Sequence, residues 1–168
     1  MCAPKEVSKE FNFFAIMWLG QKAFNIMLVG VDSREDNFDS RTDSMILIHM
    51  NLEIKNIVIT SFLKDIYAEI PGHSDNRLNV AYVFGVPNLL LRTIAHKFGI
   101  EIDKYVTLSF WLVIDILDDY ALGIKDYTRE SHVIPVEGTW KDAKIRGMSV
   151  MEIDFEANAK AWYDTVME

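Results

Sequence analysis

Residues 44–50 and Asn56–Phe62 are two runs rich in isoleucine and valine, separated only by Asn51-Leu52-Glu53-Ile54-Lys55. That short connector constrains the fold more than any other feature. Parallel neighbours need a crossover of about a dozen residues or more, so these strands pair antiparallel through a hairpin. A third apolar run, residues 25–31, ends in Gly30-Val31-Asp32 and reads as a buried strand entering the polar loop 33–42. Downstream the period changes. Leu90, Ile94 and Phe98 recur every four residues before Gly99, and Pro87 suits the first turn, which predicts a helix starting at Pro87. Residues 105–108 predict a strand, and Ser109 would cap a helix over 110–120. The tail predicts a strand at 133–136, a turn at 137–139, a strand at 148–153 and a closing helix over Phe155–Met167. Strands interleaved with helices, plus one obligatory antiparallel pair, predict a layered α/β domain with a mixed sheet.

At 168 residues the chain is the size of one domain: a single unit over 25–168, preceded by an N-terminal segment over 1–24. In that segment residues 11–19 are apolar but fall short of the ~20 needed to span a bilayer. They read as a short amphipathic helix or a remnant of an anchor. The net charge of −8 opposes general nucleic-acid binding, because phosphate backbones repel a negative field. The single cysteine, Cys2, excludes an intramolecular disulfide and a cysteine-based zinc site.

The segment most suggestive of chemistry is Gly30-Val31-Asp32-Ser33-Arg34, followed by Ser40-Arg41-Thr42-Asp43-Ser44. If the intervening loop folds back, Asp32 and Asp43 converge from the ends of consecutive strands. Two carboxylates are a common protein contribution to a Mg²⁺ site that phosphate oxygens and water complete. Arg34 and Arg41 would grip the same phosphates through two-pronged guanidinium contacts. The alternative is a set of solvated loop charges that pair weakly. Spacing alone does not separate the two.

The order of motifs does. Gly30-x-Asp32-x-Arg34 and Arg41-Thr42-Asp43-Ser44-Met45 are followed by Lys64-Asp65, Ile70-Pro71-Gly72-His73 and Arg77-Leu78-Asn79-Val80-Ala81-Tyr82. Then come Gly99-Ile100, Asp103-x-Tyr105 and Ala121-Leu122-Gly123. This series, over roughly residues 25–124, resembles the LytR-CpsA-Psr family. The resemblance implies an α-β-α domain with a mixed central sheet, working at the extracytoplasmic face of the bacterial membrane. It implies a Mg²⁺-dependent phosphotransferase that moves a polyprenyl-pyrophosphate-linked anionic glycopolymer, of teichoic acid or capsule type, onto peptidoglycan. Its partners would be that lipid-linked polymer, the membrane surface through the lipid, and the peptidoglycan acceptor. Asp32 and Asp43 match the metal carboxylates, and Asp32, Arg34 and Asp43 the catalytic set. Arg34, Arg41, Lys64 and Arg77 match the pyrophosphate-binding positions.

Two departures accompany the resemblance. The family's Pro-Arg-Asp is here Leu63-Lys64-Asp65, and lysine keeps the charge without the planar fork. The long segment that carries further closely spaced arginines in the family is missing near 124–128, leaving Arg129 and Arg146 downstream in other contexts. Two alternatives therefore stand beside the transferase: a pyrophosphate-lipid binding module without turnover, and a non-binding remnant with an interaction role. His49, His73, His96 and His132 show no ligand-like spacing and read as structural or solvated. Trp18, Trp111, Trp140 and Trp162 read as core or edge packing rather than a sugar platform, and Asp115, Asp118 and Asp119 as a solvated helix face. Val83, Phe84 and residues 89–91 suit a lipid-lined tunnel or an ordinary helix core alike.

Overall fold

The computed structural model describes residues 22–31, 42–109 and 127–167. Its centre is a five-stranded sheet in the order β6-β1-β2-β3-β7. The strands are β1 (Ala23–Val31), β2 (Thr42–Asn51), β3 (Asn56–Phe62), β6 (Lys104–Ser109) and β7 (Thr128–Ile134). β2 pairs antiparallel with β3, as the short connector requires, and antiparallel with β1 on its other side. β6 lies parallel to β1 and β7 parallel to β3, so the sheet is mixed. Two small hairpins flank it. One joins β4 (Tyr67–Ala68) to β5 (Asn76–Arg77), and the other joins β8 (Trp140–Ile145) to β9 (Met148–Ile153).

One sheet face presents Met27, Val29, Met45, Leu47, Val58 and Phe62, all buried, to helices α1 (Leu78–Phe98) and α2 (Phe155–Met167). The opposite face carries a second apolar cluster of Phe24, Ile26, Leu28, Met50 and Ile57. The helix expected over 110–120 lies outside the described residues. So do Trp18, Trp111 and the N-terminal segment through residue 21.

Pro87 does not start its helix. α1 begins at Leu78 and runs through the proline. The reason is buried apolar residues on both sides of the proline, Leu78, Ala81 and Tyr82 before it and Leu89, Leu90, Ile94 and Phe98 after it, whose burial outweighs the lost backbone bond. The carbonyl deprived of its donor belongs to Val83, whose side chain is exposed, so this side of the helix is open to water. The helix ends where Gly99 takes φ 69°, and its N–H donates to the Ala95 carbonyl.

The tail also differs from expectation. β7 begins at Thr128, upstream of the predicted 133, and β8 is an additional strand. Both are largely exposed, which removes the alternation that reveals a half-buried strand. The closing helix occupies the predicted Phe155–Met167, with Trp162 and Val166 buried. Trp162 Nε1 donates to Thr60 Oγ1 at 3.1 Å and fixes α2 to the sheet.

Candidate functional site

The end of β1, the start of β2, the end of β3 and the start of α1 meet at one end of the sheet. Val31 pairs with Thr42, Gly30 with Ser44, and Asp43 is the extra residue of a β-bulge between them. Bulges interrupt a ladder and re-aim a side chain, and they gather beside active sites. Gly30 is required there by proximity: a Cβ on it would lie 3.0 Å from the Ser44 Cβ. The backbone of Asp43 lies at this corner, beside the end of β1 at Val31. Asp32, Arg34 and Arg41, and the side chain of Asp43, lie outside the described residues.

Around that corner the described residues build a polar floor. The Asn79 N–H donates to the Lys64 carbonyl at 3.3 Å, and the Leu78 N–H to the Ile66 carbonyl at 2.7 Å. Asn79 Nδ2 makes a long contact of 3.5 Å to the Thr42 carbonyl. Lys64, Arg77, Asn79 and Thr42 are thereby drawn together from three separate stretches of sequence. Thr42 and Asn79 are buried, yet Thr42 Oγ1 and Asn79 Oδ1 have no hydrogen-bond partner among the described residues. Buried polar atoms are nearly always satisfied, so two unpaired oxygens at one corner indicate a missing partner. The two neutral oxygens are of the hard kind that Mg²⁺ and its bound waters accept, so the described part of the corner is chemically compatible with that ion. Among the described residues alone, no group of three or more histidine, cysteine or acidic side chains gathers as a metal site.

Arg77 closes the corner. Its Nη1 donates to Asp65 Oδ1 at 3.0 Å, while its Nε is buried without a partner among the described residues. The pair is partly solvated, with side-chain exposures of 28% and 40%, so it contributes at most about 1 kcal/mol to stability. Its larger effect is directional, because a charge-assisted bond fixes the guanidinium plane and the remaining donors with it. Lys64 and Arg77 were legible as separate motif residues; the pairing of Arg77 with Asp65 and the buried roles of Thr42 and Asn79 were not. One signal for Asn79 was available, a polar residue three positions before Tyr82 on the apolar stripe of a helix start.

The described histidines lie away from this corner or on the surface. His73 stacks on Phe84 at 4.8 Å, and His96 faces Glu69. His49 is buried at the opposite end of the sheet, where its Nδ1–H donates to Asn25 Oδ1 at 2.8 Å. Burial holds its pKa below the ordinary 6.5, with the Asp103 carboxylate opposing the shift. Burial lowers His132 likewise. A depressed imidazole leaves the unfolded chain binding more protons once the pH falls below 6.5, so stability is full above that value and declines beneath it. The midpoint of thermal unfolding should therefore drop between about pH 7.5 and 5.5, and drop less in His49→Gln. Identical pH dependence in the two proteins would contradict this assignment.

The model of the family described as LytR_cpsA_psr matches residues 3–145. The polyisoprenyl-teichoic acid–peptidoglycan teichoic acid transferase TagU of Halalkalibacterium halodurans is 35% identical over 104 residues, 61% of this chain and 34% of that protein. The corresponding TagT of Bacillus subtilis is 28% identical over 119 residues, covering 68% and 37%. The chain spans about a third of the length of these curated relatives. Among solved structures, YwtF (TagT) of B. subtilis with bound octaprenyl pyrophosphate lipid has a TM-score of 0.64. That likeness covers 88% of this chain and 90% of the other at 14% identity, and it is one of fold.

Proposed function

The chain belongs to the LytR-CpsA-Psr family, and from that premise we propose that it transfers a phosphoglycosyl unit from a polyprenyl-pyrophosphate carrier to a peptidoglycan hydroxyl. The observation that carries this reading is the β1–β2 corner, where the bulge at Asp43 adjoins two buried, unpaired oxygens and the oriented Arg77. TagU and TagT carry teichoic acid transferase in their names, and the B. subtilis YwtF structure holds a prenyl pyrophosphate. The acceptor oxygen attacks the sugar-linked phosphorus, the bond to the bridging pyrophosphate oxygen breaks, and polyprenyl phosphate leaves. The hydroxyl proton passes to solvent or to the departing phosphate.

In such transfers the protein mainly positions groups and offsets charge. Asp32 and Asp43 would hold Mg²⁺, which when bound neutralises charge on the pyrophosphate oxygens. Arg34 and Arg41 bind the same oxygens, Arg77 presents the donors its bond to Asp65 leaves over, and Lys64 adds a positive charge. Catalysis takes place at the extracytoplasmic face of the membrane, where the acceptor lies. No helix among the described residues is long and apolar enough to cross a membrane.

One observation favours a second reading, a binding module without turnover. Arg129 sits near the start of β7, opposite the start of β3, and Arg146 in the β8–β9 turn. Neither joins the corner at the end of β3. Titration with a polyprenyl-pyrophosphate analogue and Mg²⁺, with transfer to peptidoglycan fragments followed separately, decides between them. The transferase predicts binding and turnover, and about tenfold weaker binding in Arg77→Ala, since a charged hydrogen bond is worth about 1.5–3 kcal/mol. Binding alone supports the module. Absence of both refutes both.

A further inference from the structure

A groove of about 640 Å³ runs beside the corner, lined by Tyr67, Trp140, Lys141, Glu152, Asp154 and Phe155 among others. We propose that it holds the acceptor as an uncharged N-acetylhexosamine oligosaccharide, an assignment that rests on the transferase reading above. The site is a shallow, open depression, a shape that suits an extended ligand lying along the surface.

The groove is built rather than incidental. Asn158, fully buried, accepts the Val136 N–H through Oδ1 at 2.7 Å. Its Nδ2 donates to Thr139 Oγ1 at 2.8 Å and to the Asp154 carbonyl at 2.7 Å. The Asp154 N–H donates to the Thr139 carbonyl at 2.8 Å. These bonds lock the start of α2 to the start of β8, fixing two walls. The third wall is shared with the corner itself. Tyr67 is paired with Arg77 in β4–β5, and β9 joins the intervening chain through Met151 N–H to the Asp65 carbonyl at 2.9 Å. A molecule in the groove therefore lies one strand pairing away from the guanidinium assigned to the pyrophosphate.

Charge separates the two compartments. The groove carries two carboxylates, Glu152 and Asp154, against one ammonium, Lys141, which is bonded to Glu152 at 2.9 Å. With Glu152 offset by Lys141, the one remaining carboxylate gives the groove no attraction for a polyanionic glycopolymer and leaves the cationic corner as the place for phosphate. Asp154 Oδ1 accepts the Ala157 N–H at 2.9 Å and Glu152 Oε2 is paired with Lys141, which leaves the second oxygen of each carboxylate to accept bonds from sugar hydroxyl and amide donors. Trp140, 42% exposed, offers a flat indole to the apolar face of a pyranose, and Tyr67 belongs to the same lining. A peptide would call for a free strand edge or separate side-chain pockets. The observed combination of an open trough, exposed indole and carboxylates suits a glycan better.

Calorimetric titration of the full chain with chitotetraose tests this, with the pyrophosphate analogue plus Mg²⁺ titrated separately. Trp140→Ala should weaken chitotetraose binding at least about tenfold more than analogue binding, while Trp140→Tyr should retain most of it. Unfolding midpoints of both variants should match the wild type, since Trp140 is largely outside the core. The assignment is overturned if the wild type ignores chitotetraose, if Trp140→Ala binds it unchanged, or if a stem tetrapeptide displaces it competitively. Glycan binding without analogue binding counts against the transferase reading alone. Analogue binding without glycan binding counts against the groove alone.

Discussion

Asp43→Ala is expected to abolish Mg²⁺-dependent capture of the pyrophosphate lipid and to reduce transfer by about 10²-fold or more. Asp32→Ala should do the same. A Mg²⁺ ion is typically bound through one or two protein carboxylates, so losing either removes a large part of the protein's own grip. Asp43→Asn should fail almost as badly, because an amide oxygen keeps the shape and loses the charge. Folding should be unaffected. Asp43 is the unpaired residue of the bulge, with Thr42 and Ser44 carrying the strand pairs on either side, so its replacement breaks no ladder position. Titration calorimetry in Mg²⁺ and in chelator checks the first point, and a thermal scan the second. Wild-type affinity in Asp43→Ala would remove this residue from the site.

Phe98→Ala should be the most damaging change in the core. Phe98 is 2% exposed and meets Phe62 of β3 at 5.3 Å and Phe155 of α2 at 5.2 Å, both edge-to-face. One ring thus ties the sheet to both helices. Truncation leaves a cavity at that junction and lowers stability by about 3–5 kcal/mol, a large share of the about 5–15 kcal/mol typical of a domain. At about 2–4 °C per kcal/mol for a chain of this size, the unfolding midpoint should fall by roughly 10 °C. A fall of only a degree or two would mean that the ring is not the joint between the layers.

The central architecture was legible because its signals are local. The five-residue connector fixed an antiparallel β2–β3 pair, and continuous aliphatic runs marked β1, β2 and β3. The start of α1 was obscured by giving Pro87 the weight of a boundary. The stripe from Leu78 onward already carried the helical period past it, and a half-buried proline inside such a helix is tolerated when the carbonyl it strands can reach water. β8 was hidden by its exposure, since Trp140-Lys141-Asp142-Ala143-Lys144-Ile145 shows no clean alternation. Its only local sign is the turn after it, where Arg146 and Gly147 both take positive φ, 50° and 81°.

The site divides in the same way. Asp32, Asp43, Lys64 and Arg77 stand in a recognisable order along the chain. Asp65 as the partner of Arg77, and Asn79 and Thr42 as buried floor, depend on contacts across 12 and 37 positions. No window on the sequence contains such pairs. The acceptor groove lay further from reach, because it is made by the exposed β8–β9 hairpin leaning on β4.

Soaking crystals with Mn²⁺ in place of Mg²⁺ and locating the ion by anomalous scattering tests the shared-ion site most directly. One peak, about 2.0–2.3 Å from a carboxylate oxygen of both Asp32 and Asp43 and beside the Thr42–Asn79 floor, is the predicted result. A fully occupied ion bound elsewhere, or the two carboxylates turned to opposite faces of the sheet, would contradict it.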